Sequence, residues 1–311
     1  MKTCMIMSSL YDLNEFPYFR LNIASLKAYC KKWDIEFIYL DRSSELMKNF
    51  AECFDRYDIL LPHLAKILRL NAFLQTDCEY GLFVDIDTNI INLHRDIREL
   101  IEKDKQYTSF IGPIGDRKKY QHHRNRVGDK INFSKFLLSN YPYIDNYEYL
   151  YLKSGFSIFN RDFCQKYLNF ASEHNINIEN QKDINNISSY VEKTINETKI
   201  KDTGHLNKVD DEFFLEAFIL YSQTKNIKFD IVSLKESSKY ILLEENDKVN
   251  LEKIIEYYPI FFHNGNISRE QKDTIDLLET IKSTNLENSL GTYNAIRHRR
   301  YAELFEKRLP S

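Results

Sequence analysis

Apolar and polar positions along the chain alternate between two spacings. Thr3 to Ser8, built on Cys4-Met5-Ile6-Met7, reads as a buried strand. From about Phe19 to Trp33 the apolar residues Leu21, Ile23, Ala24, Leu26, Ala28 and Tyr29 recur at helical spacing, and Ile35 to Leu40 returns to a strand pattern. A strand, helix, strand order opens a parallel α/β sheet. Pro62 stands at a helix start that leads through Leu64 to Leu74, and the apolar run Tyr80-Gly81-Leu82-Phe83-Val84 behind it predicts another buried strand. Tyr107 to Gly112, Ser154 to Asn160 and Tyr257 to His263 predict further strands. Asp210-Asp211-Glu212 opens a helix to about Tyr221, with its acids at the end that the helix dipole favours. Residues 113–151 are polar, aromatic and basic with little periodicity, which predicts a long loop. Residues 175–202, dense in Asn, Ile and Lys, read as an insertion, and residues 266–311 as two helices. With no repeat and no linker, the economical division is one domain over 1–265 and a C-terminal helical extension over 266–311, packed on the same domain.

Composition narrows the classes. A chain of 311 residues with 43% hydrophobic and 29% charged residues and a net charge of -3 is that of a globular protein, without the global positive charge that nucleic acid binding calls for. Its five cysteines, Cys4, Cys30, Cys53, Cys78 and Cys164, are odd in number and lack CxxC spacing, which argues against a zinc site and a disulfide framework and suits a reducing cytoplasm. No stretch approaches the roughly 20 apolar residues of a membrane span.

The chemistry concentrates at Val84-Asp85-Ile86-Asp87-Thr88. Two carboxylates end an apolar strand, where ligands of open α/β sheets collect. While a strand stays regular, residues i and i+2 point the same way, so Asp85 and Asp87 are expected to converge on one hard cation. His263, in Phe261-Phe262-His263-Asn264-Gly265-Asn266, follows another apolar strand and adds an imidazole that suits manganese. Lys66 and Arg69, three apart on one helix, are placed to position an anionic ligand or to hold Asp85, the alternative being an exposed basic face.

The order of these features resembles the GT-A glycosyltransferases that carry a DXD motif, within the nucleotide-diphospho-sugar transferase superfamily. Here the motif is Asp85-Ile86-Asp87, preceded by Lys66-Ile67-Leu68-Arg69 and followed by a strand ending in Phe159-Asn160. The resemblance implies a Rossmann-like α/β fold, with a mixed, mostly parallel sheet flanked by helices. It implies a hexosyltransferase that uses Mn2+ or Mg2+ and a nucleotide sugar, a UDP-sugar favoured, to glycosylate a hydroxyl of a glycan or lipid-linked glycan. By the same resemblance Asp85, Asp87 and His263 are metal ligands. Ser8, Tyr11, Lys66, Arg69, Asp85, Gly265 and Asn266 line the donor site, and Asp211 is the catalytic carboxylate that acts on the acceptor. Simple helix capping is the alternative for Asp211.

Two basic stretches remain. His122 to Arg126 is expected to close over the donor or bind an anionic acceptor, and Arg297 to Arg300 with Lys307 and Arg308 to touch an anionic membrane from the cytoplasmic side. Two rival classes fit the same motif. In a haloacid-dehalogenase-like phosphatase Asp85 would be the nucleophile, although there the motif normally ends the first core strand. A non-catalytic sugar-binding protein is the other.

Overall fold

The computed structural model of the chain describes residues 1–10, 18–45, 47–48, 65–90, 92–103, 108–113, 124–139, 152, 155–174, 211–234, 239–244 and 259–264. The expectations for Tyr11, Pro62, His122, residues 175–202, Gly265, Asn266 and residues 266–311 lie outside them. Two compact units emerge, Met1–Leu10 with Ile38–Val84 and Lys103–Lys235, and Tyr11–Phe37 with Asp85–Glu102 and Glu236–Ser311.

The first unit is built on a six-stranded sheet of order β2-β1-β3-β6-β5-β7. Its strands are β1 (Thr3–Ser8), β2 (Glu36–Leu40), β3 (Tyr80–Val84), β5 (Thr108–Pro113), β6 (Phe156–Asn160) and β7 (Asp230–Leu234). β1 and β3 pair in parallel from Thr3↔Tyr80 to Met7↔Val84, and β5 and β7 are also parallel. β6 runs against both β3 and β5. The result is the mixed, mostly parallel, Rossmann-like sheet that the chain order implies. The helices that flank it are α2 (Leu68–Gln75), α4 (Arg124–Leu137), α5 (Arg161–Glu173) and α6 (Asp211–Thr224).

Phenylalanine fills the space between the sheet and these helices. On one face of β3, Gly81 and Phe83 alternate, and across the strand gap Phe159 lies opposite Gly81. A Cβ at Gly81 would come within 3.0 Å of the rings of Phe73 and Phe83, so the bare glycine lets three aromatic side chains converge there. Phe83 and Phe159 lie 4.8 Å apart, Phe159 and Phe163 5.0 Å, and Phe163 and Phe218 5.2 Å, each pair worth about 0.5–1.5 kcal/mol beyond its buried area. Asn160 ends β6 and caps α5, its Oδ1 accepting the Phe163 amide at 2.8 Å.

The expected loop over 113–151 differs from what folds. Arg124–Leu137 is helical, because Phe133, Ser134, Leu137 and Leu138 are buried at helical spacing and Phe133 meets Phe214 at 5.1 Å. The basic residues before this stripe masked its period in the sequence.

The second unit holds α1 (Tyr18–Trp33), β4 (Thr88–Ile90), α3 (Arg98–Lys103), β8 (Ile241–Glu244) and β9 (Phe261–Asn264), with a three-stranded sheet of order β4-β9-β8. The buried face of α1 is not purely apolar. Phe19, Ile23, Leu26 and Cys30 share it with Asn22, Ser25 and Tyr29. The Tyr29 hydroxyl donates to the Arg95 carbonyl at 2.9 Å and accepts from the Ile97 amide at 2.8 Å. Trp33 Nε1 donates to the Leu93 carbonyl at 3.2 Å, and Arg98 returns a bond to the Trp33 carbonyl at 2.8 Å. The four described cysteines, Cys4, Cys30, Cys78 and Cys164, are buried, and none of them is in a disulfide. No helix among the described residues is long and apolar enough to cross a membrane.

Burial pushes the Tyr29 phenol well above its ordinary value and the Cys30 thiol up to about 12. A folded state that holds a proton more tightly than the unfolded chain is fully stabilised below the unfolded value, about 10 for tyrosine, and loses that stabilisation as pH rises beyond it. Urea unfolding from pH 8 to pH 11 is therefore expected to show a steeper alkaline decline in the wild type than in Tyr29→Phe. The variant starts about 1–3 kcal/mol lower at pH 8 because the Ile97 amide loses its acceptor. Parallel declines would remove Tyr29 as the source.

Candidate functional site

β3 stops at Val84, and the acids do not continue it. The Thr88 amide donates to the Asp85 carbonyl at 3.0 Å, closing a reverse turn over Asp85–Thr88, and β4 begins at Thr88. This corrects the expectation that strand alternation orients the two carboxylates. Asp at the first turn position is favoured, and the turn replaces alternation as the device that presents both acids. Asp85 and Asp87 are half-buried, and one carboxylate oxygen of Asp87 is shielded from solvent.

Two further contacts shape this turn within the second unit. Asn22 of α1, 5% exposed, donates its side-chain amide to the Ile86 carbonyl at 2.7 Å. β4 pairs antiparallel with β9 in the register Thr88↔His263. The backbone thus sets His263 directly across from the residue that follows Asp87, although about 175 positions separate the two in the sequence. Thr88 is fully buried, and its hydroxyl has no hydrogen-bond partner among the described residues. Carboxylate and imidazole are side-chain types that suit a divalent cation of the Mn2+ type.

Of the other candidates, Ser8, Lys66, Arg69 and Asp211 belong to the first unit. Ser8 ends β1, half-buried, one residue past the Met7↔Val84 pair, and its hydroxyl has no partner among the described residues. Arg69 is 3% exposed, which excludes the solvated basic face. Its Nε donates to the Lys66 carbonyl at 3.2 Å, its Nη1 donates to the Val84 carbonyl at 3.1 Å, and its guanidinium lies 5.7 Å from the Phe83 ring centre. Lys66 sits in a 3-10 turn, Ala65–Ile67, and its Nζ is 3.5 Å from Oδ1 of Asp211, the first residue of α6. Both side chains are nearly buried, at 13% and 9% exposure.

Lys66, Arg69 and Asp211 line a small pocket with Phe83, Ser157, Phe159, Tyr167 and Leu215. Its space, about 20 Å3, is of the size of one water or one hydroxyl. Sequence reasoning missed Asn22, Thr88, Ser157 and Tyr167. The signal for Asn22 was a polar residue inside an apolar helical stripe; Ser157 and Tyr167 carried none, since their place depends on the β3–β6 register and the packing of α5.

No protein-family model matches this sequence, and no curated protein matches it. Solved structures similar to it include a glycosyltransferase involved in the glycosylation of the major capsid of PBCV-1, at 11% identity over 89% of this chain and 99% of that one, with a TM-score of 0.44. Galactosyltransferase LgtC, in complex with donor and acceptor sugar analogues, is similar at 12% identity over 94% of this chain and 95% of that one, with a TM-score of 0.45. Mouse xyloside xylosyltransferase 1 is similar at 10% identity over 87% of this chain and 100% of that one, with a TM-score of 0.41.

Breaking a nearly buried ion pair from one side leaves the other charge in a site that water serves poorly, at a cost of about 3–5 kcal/mol. Lys66→Met is therefore expected to destabilise the protein by more than the double variant Lys66→Met/Asp211→Leu, read from urea unfolding. Strictly additive single and double losses would mean that the two charges do not act as a pair.

Proposed function

We propose that the chain is a metal-dependent glycosyltransferase that moves a sugar from a nucleotide-diphosphate sugar, a UDP-sugar first among them, to a hydroxyl of a glycan or lipid-linked glycan. The observation that carries this reading is the Asp85–Thr88 turn joined to the Thr88↔His263 register, which sets the backbone of His263 across from the end of the acidic turn. Asp85, Asp87 and His263 would hold Mn2+ or Mg2+. When bound, such an ion neutralises the charge that develops on a diphosphate leaving group.

The remaining roles belong to side chains. Ser8, with Tyr11, is assigned to the nucleoside, and Gly265 and Asn266 to the diphosphate. Asp211 is assigned to the acceptor hydroxyl, as its base or as the carboxylate that orients it, with Lys66 fixing its position at 3.5 Å. A pocket of hydroxyl size suits that assignment better than one that swallows a sugar ring. Residues 1–265 carry the reaction in this reading, and the basic run from Arg297 to Arg300 meets the anionic surface bearing a lipid-linked acceptor. The phosphatase alternative gains nothing from the fold, because β1 and β2 precede the strand that ends in Asp85.

A panel of nucleotide sugars with Mn2+ tests the proposal. The expected outcome is slow release of nucleoside diphosphate to water, faster with an acceptor and abolished by excess chelator; full activity in chelator overturns it. Asp87→Ala is expected to lower turnover at least ~100-fold, the upper range for disturbed metal sites, with little change in melting temperature. His263→Ala is expected to weaken nucleoside diphosphate binding about 10–100-fold at limiting Mn2+, a defect that shrinks as Mn2+ is raised. Calorimetric titration at several Mn2+ concentrations reads this out, and unchanged affinity at limiting Mn2+ removes His263 from the site.

A further inference from the structure

The carbonyl of Ile86 presents an accounting problem. In a reverse turn the internal bond uses the first carbonyl and the fourth amide, here Asp85 and Thr88, and leaves the carbonyl of the second residue without a partner in the turn. The ladder with β9 starts only at Thr88. A buried carbonyl left unsatisfied costs about 1–3 kcal/mol. Asn22 answers it with a side-chain amide at 2.7 Å, from a position that is itself 5% exposed. Ser25, one helical turn on and 1% exposed, does something different, since its hydroxyl bonds the Asn22 carbonyl of its own helix at 2.8 Å. Tyr29 and Trp33 continue the same face of α1 and grip the chain further on, at Arg95 and Leu93. Of these four residues, Asn22 is the one bonded to the acidic turn.

We propose that Asn22 is a positioning residue for the cation site: its amide clamps the Ile86 peptide and thereby fixes the directions in which Asp85 and Asp87 leave the turn. The proposal rests on the reading of those carboxylates as cation ligands. The physics favours such a clamp. Two like charges one residue apart repel, and the backbone freedom of each turn residue is worth about 1–2 kcal/mol when it must be frozen at binding. A helix that freezes the middle peptide in advance removes that penalty from the binding step. Leucine at position 22 would suit the apolar stripe but carries no donor.

The test uses the full chain, Mn2+ alone as the probe, and three variants, Asn22→Ala, Asn22→Asp and Ser25→Ala. Asn22→Asp keeps the volume and loses the N–H donor; Ser25→Ala removes a buried hydrogen bond from the same helix without touching the turn. Titration calorimetry is expected to give a Mn2+ dissociation constant about 10–100-fold higher for both Asn22 variants, and within about twofold of wild type for Ser25→Ala. In the metal-free protein, exchange of the Thr88 amide is expected to accelerate at least ~10-fold in the Asn22 variants only. Unchanged affinity and exchange in Asn22→Ala, or equal changes in Ser25→Ala, overturn the proposal. A wild type that binds no Mn2+ overturns the cation reading instead, and the Thr88 exchange rates then decide separately whether Asn22 holds the turn.

Discussion

Backbone carbonyls at the exit of β3 must find donors, and buried side chains supply them. In the first unit Arg69 takes the Val84 carbonyl at 3.1 Å, and in the second Asn22 takes the Ile86 carbonyl at 2.7 Å. Between them the Asp85 carbonyl is satisfied by the turn itself. Three successive carbonyls are thus held by three different means. Planarity of the peptide extends the effect of Arg69 by one residue, because the Val84 carbonyl and the Asp85 amide share a plane.

The aromatic core explains why Arg69 can do this from a helix. Gly81 leaves room for Phe73, Phe83 and Phe159 to pack around one point of β3. Phe83 then presents its ring to the guanidinium at 5.7 Å. Arginine suits the place better than lysine would, since its planar fork reaches the Lys66 and Val84 carbonyls at once. Sheet, aromatic cluster and cationic anchor are therefore one construction. A change at Gly81 would be transmitted to the strand end through Phe83.

Much of this architecture was readable from the chain. β1, α1, β2, β3, β5, β6 and α6 fall where the hydrophobic periods place them, and the strand-end acids stand out because the run before them is wholly apolar. What escaped depended on information that periodicity does not hold. The turn at Asp85–Thr88 is set by an i to i+3 hydrogen bond, which Asp-Ile-Asp-Thr permits but does not dictate. Phe133 and Leu137 lie in a segment where charged residues are as many as apolar ones, so α4 looked like loop. Short strands such as β4, with 3 residues, lack a period to detect. Asn22 was passed over because a polar residue in a helical stripe is ordinarily a tolerated exception, and its meaning lies in a carbonyl 64 residues away.

The Lys66–Asp211 pair, 3.5 Å apart and nearly buried, carries a different kind of argument. An apolar pair of similar volume would serve stability as well or better, since desolvating two charges offsets most of their attraction. The surroundings make apolar replacement easy, with Phe83, Phe159 and Leu215 lining the same pocket. Arg69, three residues further on, donates to the Lys66 and Val84 carbonyls and so has a structural task of its own. Charge kept in a hydroxyl-sized pocket at the carboxyl end of the sheet is charge suited to a polar ligand, which is where the proposed reaction places its acceptor.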